Sequence, residues 1–191
     1  MSRVLRRICV FCGSSAGADP AYGRSVRELG AVFAESGLSL VYGGGNVGLM
    51  GELARSVLRR DVEVIGVIPR RIHEAVEPLQ LSELHVVDNM HERKAMMYEL
   101  SDAFVVLPGG IGTVEEFFEI YTWYQLGIHL KPIGLFNVRE YFGKLLEFVD
   151  HMVCEGFLKA AHRKALVIET DPRVLMAGLR DTELTYINKL D

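Results

Sequence analysis

Short apolar runs recur along the chain, separated by stretches with helical spacing of apolar positions. The runs Ile8–Cys12, Leu38–Tyr42, Val62–Ile68, Leu84–Val87, Ala103–Leu107, Pro132–Phe136 and the weaker Ala165–Ile168 predict strands. Helices are predicted near 21–36, 47–60, 90–101, 113–126, 140–154 and 171–179. The strands read as continuous apolar runs, so both faces of their sheet must be covered. Strands of that kind alternating with helices specify an α/β fold with a parallel sheet. At 191 residues, with no repeat, linker or low-complexity segment, residues 1–191 read as a single domain. The segment 69–83, which holds Pro69 and Pro78, shows no clear period.

In such a sheet, ligands bind beyond the carboxyl ends of the strands. Three glycine-bearing loops fall there: CGSS at 12–15, YGGGNVGLMG at 42–51 and LPGGIGTVEE at 107–116. Gly43, Gly45 and Gly48 have the spacing of a dinucleotide fingerprint. However, they follow the second strand, and the next strand ends in IPRR without an acidic residue to hold a ribose. No Gly-Lys-Ser/Thr tripeptide of a phosphate-binding P-loop occurs. Gly109, Gly110 and Gly112 exceed what a tight turn needs. The N–H groups of residues 110–114 at the start of the following helix are suited to an anion.

Thr113 and Glu116 also have the spacing of a capping box, with Thr113 as N-cap and Glu116 as N3. The alternative places Glu116 about one helical turn, ~5 Å, beyond a bound phosphate, under the sugar that carries it. In the preceding helix Met90, Arg93, Met97 and Leu100 share a stripe, which directs Arg93 inward. A buried arginine needs an anion, either a structural carboxylate or a ligand. Lys94 beside it can add charge at the crevice mouth, with a solvated lysine as the default reading. Phe117, Phe118, Tyr121, Trp123 and Tyr124 cover more than one face of their helix, which predicts packing on the sheet and on a second subunit.

Composition narrows the partners. Net charge is −4 with no long basic run, which argues against nucleic acid. No apolar stretch is long enough to span a bilayer, and Ile8–Cys12 is too short for a signal-peptide core. Cys9 and Cys12 form C-x-x-C inside a strand, where side chains three apart face opposite sides. They read as buried apolar residues of a cytoplasmic protein. The six histidines form no i, i+4 pair and no grouping with cysteine, so no metal site is predicted.

PGGIGTVEE at 108–116, with MHERK at 90–94 and YGGGNVGLMG at 42–51, resembles the Lonely Guy family, cytokinin-activating phosphoribohydrolases formerly labelled lysine decarboxylases. The resemblance runs from about Ile8 to Ile168 and includes YTWYQLGIHLKPIGLFN. It implies a Rossmann-like sheet flanked by helices on both faces, a homodimer or dimer-based assembly, and no cofactor. The implied reaction splits the N-glycosidic bond of a purine nucleoside 5′-monophosphate into free base and ribose 5-phosphate. Arg93 and Glu116 are the implied catalytic residues. Implied substrate contacts are Arg93, Lys94, Gly109, Gly110, Ile111, Gly112, Thr113, Val114, Glu115, Glu116 and Thr122, with Gly13 and Ser14 adding to them. The family's acidic contact after its proline has no assigned counterpart in IPRRIHEAVEP, which leaves base selectivity open. Molybdenum-cofactor carriers of related fold set the rival reading, binding without cleavage. A lysine decarboxylase would need a lysine placed for pyridoxal phosphate, and none stands in such a context.

Overall fold

The computed structural model describes residues 3–77 and 79–186. Seven strands form one parallel sheet: β1 (Arg7–Phe11), β2 (Ser39–Tyr42), β3 (Val64–Pro69), β4 (Glu83–Val87), β5 (Ala103–Val106), β6 (Ile133–Phe136) and β7 (Leu166–Glu169). Their spatial order is β4-β3-β2-β1-β5-β6-β7. The chain steps outward from β1 to β4, then returns to the other side of β1 with β5. The strand order therefore reverses between β1 and β5, where an open α/β sheet leaves its binding crevice.

Alternation along each strand feeds two separate cores. Ile8, Val10 and Cys12 join one core with helices α1 (Pro20–Glu35), α2 (Gly48–Leu58) and α8 (Pro172–Asp181). Cys9 and Phe11 join the other with α4 (Met90–Glu99), α5 (Ile111–Gln125) and α6 (Gly143–Cys154). The two cysteines thus lie on opposite faces of the sheet, and all three cysteines are free. Asp19, Asn89 and Asp171 cap α1, α4 and α8 through their side chains, each accepting from first-turn N–H groups.

All seven strands and six of the helices follow the apolar periodicity. Two short helices escaped it. One, α3 (Arg70–His73), lies within the aperiodic segment; the other, α7 (Ala160–Lys164), is a single turn before β7. A turn or so of helix is too short to show a period. A 3₁₀ turn at Val138–Glu140 replaces the first turn expected of the helix at 140. Among the described residues, no helix is long and apolar enough to cross a membrane.

Candidate active site

Three loops meet at the β1/β5 switch point and are stitched together by their backbones. The Gly13 N–H donates to Pro108 O at 3.1 Å, and Gly13 O accepts from Leu49 N–H (3.1 Å) and Met50 N–H (3.3 Å). A Cβ on Gly48, whose φ is +58°, would lie 2.3 Å from the Ser14 carbonyl carbon. A Cβ on Gly109 would lie 2.1 Å from Thr113 Oγ1. These glycines permit close approach of one loop to the next.

The capping-box reading of Thr113 and Glu116 does not hold. Helix α5 begins two residues earlier than predicted, at Ile111, with Gly110 as N-cap and no side-chain cap. Thr113 is buried in the first turn, with its hydroxyl against Gly109. Val114 N–H is bonded to Gly110 O, which removes it from the predicted anion donors. The N–H groups of Ile111, Gly112 and Thr113 lack intrahelical acceptors and sit at the positive end of the helix.

Glu116 instead pairs with Arg93. Arg93 Nη1 donates to Glu116 Oε1 at 2.6 Å, and each side chain is only 9% exposed. Arg93 Nε donates to Val67 O at 3.2 Å, which fixes the guanidinium plane. Gly43 makes room for it, since a Cβ there would lie 2.1 Å from Arg93 Nη2. Burial pushes the Glu116 pKa up, and the charge and hydrogen bond of Arg93 offset that only in part. The carboxylate is thus oriented but remains more basic than an exposed one.

Lys94 is not the solvated lysine expected. It is buried, and its Nζ donates to Glu115 Oε1 at 2.5 Å and Glu119 Oε1 at 2.9 Å. Burial alone would lower its pKa, but the bonds to Glu115 and Glu119 together outweigh that and raise it. Such a lysine stays an ammonium ion, the opposite of what Schiff-base chemistry requires.

Arg93 and Glu116 line a cavity of about 540 Å³ together with Ser14, Gly110, Ile111, Gly112 and Thr113. That size suits a small ligand. Gly13 and Gly109 line an adjoining cavity of about 200 Å³, which shares Ser14 and Gly110 with the first. Val114, Glu115 and Lys94 stand outside the lining, and Thr122 is exposed on α5, away from the cavity. Sequence reasoning did not assign the apolar lining of Cys12, Val47, Met50, Ile72, Val76 and Met90 to the site. Val47, Ile72 and Met90 are half-exposed; Ile72 and Val76 fall in the aperiodic segment 69–83, and the stripe that holds Met90 pointed only to burial of Arg93.

A family model described as possible lysine decarboxylase matches residues 50–179. A cytokinin riboside 5′-monophosphate phosphoribohydrolase of Rhodococcoides fascians is 45% identical over 177 residues, 92% of this chain and 89% of that protein. One of Arabidopsis thaliana is 44% identical over 179 residues, 93% of this chain and 82% of that protein. Among solved structures, the molybdenum cofactor carrier protein of Chlamydomonas reinhardtii superposes with a TM-score of 0.66 at 19% identity, over 90% of this chain and 94% of that one. The last likeness concerns the fold alone.

Proposed function

The chain belongs to the family described as possible lysine decarboxylase, and from that premise we propose that it is a phosphoribohydrolase acting on purine nucleoside 5′-monophosphates, AMP and cytokinin nucleotides included. The observation that carries the reading is the buried Arg93–Glu116 pair, placed one turn beyond an uncapped helix N-terminus. The 5′-phosphate accepts hydrogen bonds from the first-turn N–H groups of α5. The ribose then lies over Glu116, and the base rests on the wall of Val47, Met50, Ile72, Val76 and Met90.

As the C1′–N9 bond breaks, its electron pair leaves with the base and positive charge develops on the ribose. The Glu116 carboxylate stabilises that charge and aligns the water that adds to C1′. Arg93 holds the carboxylate in place. The water loses a proton as it adds, the departing base takes one up, and the other product is ribose 5-phosphate. A carrier would bind without needing a buried carboxylate at this depth.

The protein works as a homodimer. Leu126, Ile128 and Leu130 are exposed just after α5, close in sequence to the partly exposed Phe118 and Trp123, and a second copy would cover them. The free thiols fit a reducing cytoplasm. Incubation with AMP and with adenosine, followed by assay of free adenine, tests the assignment. AMP is expected to be cleaved and adenosine hardly at all. Comparable turnover of both would remove the phosphate anchor, and binding of AMP without cleavage would favour the carrier.

A further inference from the structure

The turn between β6 and α6 holds two consecutive non-glycine residues in the left-handed region, Arg139 (φ 53°) and Glu140 (φ 55°). Neither is an asparagine or aspartate, so each carries a conformational cost that the surroundings must support. The support is visible. Arg139 Nε pairs with Asp19 Oδ2 at 3.0 Å, and Asn137 Oδ1 accepts from Phe142 N–H at 2.8 Å. What the turn presents is Tyr141. Its ring meets Tyr22 edge to face at 5.9 Å and Phe142 at 5.1 Å, and its hydroxyl donates to the carbonyl of Gly109.

That carbonyl belongs to the peptide that joins Gly109 to Gly110. In a trans peptide the C=O and the following N–H point in opposite directions. A hydroxyl holding Gly109 O on the Tyr141 side turns the Gly110 N–H to the other side. Tyr141 lines the small adjoining cavity and not the one containing Glu116, whereas Gly110 lines both. Glycine on both sides leaves this peptide more room to rotate than other residues would, although its neighbours are pinned by the bonds of Pro108 O and Gly110 O.

We propose that Tyr141 is a positioning residue for the phosphate site: its hydroxyl locks the Gly109–Gly110 peptide so that the Gly110 N–H faces the ligand as a preset donor. The strained turn at 139–140 exists to deliver that hydroxyl. The inference rests on the phosphate being bound at the start of α5.

Tyr141→Phe tests it, since phenylalanine keeps the ring contacts and removes only the hydroxyl. Titration with ribose 5-phosphate should show a Kd about threefold to tenfold weaker in the variant, the equivalent of one net hydrogen bond. KM for AMP should rise by a similar factor while kcat changes less than about twofold. Unchanged Kd and KM, or a loss of thermal stability alone, overturns the role. A second measurement needs no variant. In the wild-type protein the Gly110 amide resonance should shift when ribose 5-phosphate is added, as those of Gly112 and Thr113 do. A silent Gly110 beside responsive Gly112 and Thr113 also overturns it. If wild-type protein binds no ribose 5-phosphate, the phosphate site itself is refuted, and this inference falls with it.

Discussion

Replacing Glu116 by glutamine separates chemistry from architecture. The side chain keeps its length and a carbonyl oxygen that can still accept from Arg93 Nη1, but the charge is lost. Removing one such electrostatic group from a transition state typically costs about 10²–10³ in rate. Stability also changes, because the carboxylate is buried against a buried guanidinium and not spent on a cap. Deleting one partner of a buried pair costs about 3–5 kcal/mol. The retained hydrogen bond, and the bond from Arg93 to Val67 O, should reduce this to about 1–3 kcal/mol. For a chain of this size that corresponds to roughly 3–10 °C in Tm. Glu115→Gln is the control. Glu115 is half-exposed and pairs with Lys94, which Glu119 still holds, so its Tm should move by no more than a few degrees and its activity by less than about threefold. Adenine release from AMP, calorimetric AMP binding and a thermal melt on both variants complete the assay. Glu116→Gln should bind AMP, melt somewhat earlier and barely cleave. Cleavage within threefold of wild type would refute the catalytic role, and loss of AMP binding in a folded variant would place Glu116 in the binding of the phosphate instead.

Gly43→Ala would bring a methyl group to within 2.1 Å of Arg93 Nη2, so the guanidinium must move. AMP cleavage should fall at least tenfold with the fold intact by circular dichroism, and unchanged activity would show that Arg93 tolerates displacement. Arg93→Met removes the chief influence that lowers the Glu116 pKa. Glu116 acts when ionised, so activity is lost as pH falls through its folded pKa; that limb, followed by carboxyl NMR of Glu116, should move to higher pH, and a shift to lower pH would contradict the pairing. Light scattering at micromolar concentration should give a mass of twice the chain or a multiple of that, and a monomer would remove the interface after α5.

The sheet was legible because seven apolar runs bounded by turn residues leave little room for other readings. The inward turn of Arg93 was legible for a related reason: it shares a stripe with Met97, and a charge on an apolar stripe announces a buried partner. Which partner was not legible, since the sequence left a cap, a ligand and a carboxylate all open for the pair Arg93 and Glu116. The capping box failed because a Thr-x-x-Glu match says nothing of where the preceding turn ends. Gly109 and Gly110 let the helix start at Ile111, and Thr113 then falls inside it. Lys94 was misjudged because its two acids lie on the next helix, more than twenty residues away. Tyr141 gave no signal at all, because its bond to Gly109 O depends on the left-handed turn at Arg139 and Glu140, which no sequence pattern marks.

The helices α1, α2, α4 and α5 begin around the cavity and its neighbour, and each of these four offers a positive pole. Three of these poles are closed from within: α1 by the Asp19 carboxylate, α4 by the Asn89 amide, α2 by the carbonyl of Gly13. Of these four, α5 is the one left open, and the residue at its entrance is Gly110. That glycine has an ordinary extended backbone, and a Cβ on it would meet nothing within 4 Å. Neither the turn nor the packing demands glycine there. A Cβ has room there, and an aspartate at an N-cap folds its carboxylate over the first turn as a self-supplied anion. The absence of a side chain at position 110 is therefore what keeps this pole vacant beside three that are closed, so that a phosphorylated ligand entering this crevice meets a helix start with room to hold it.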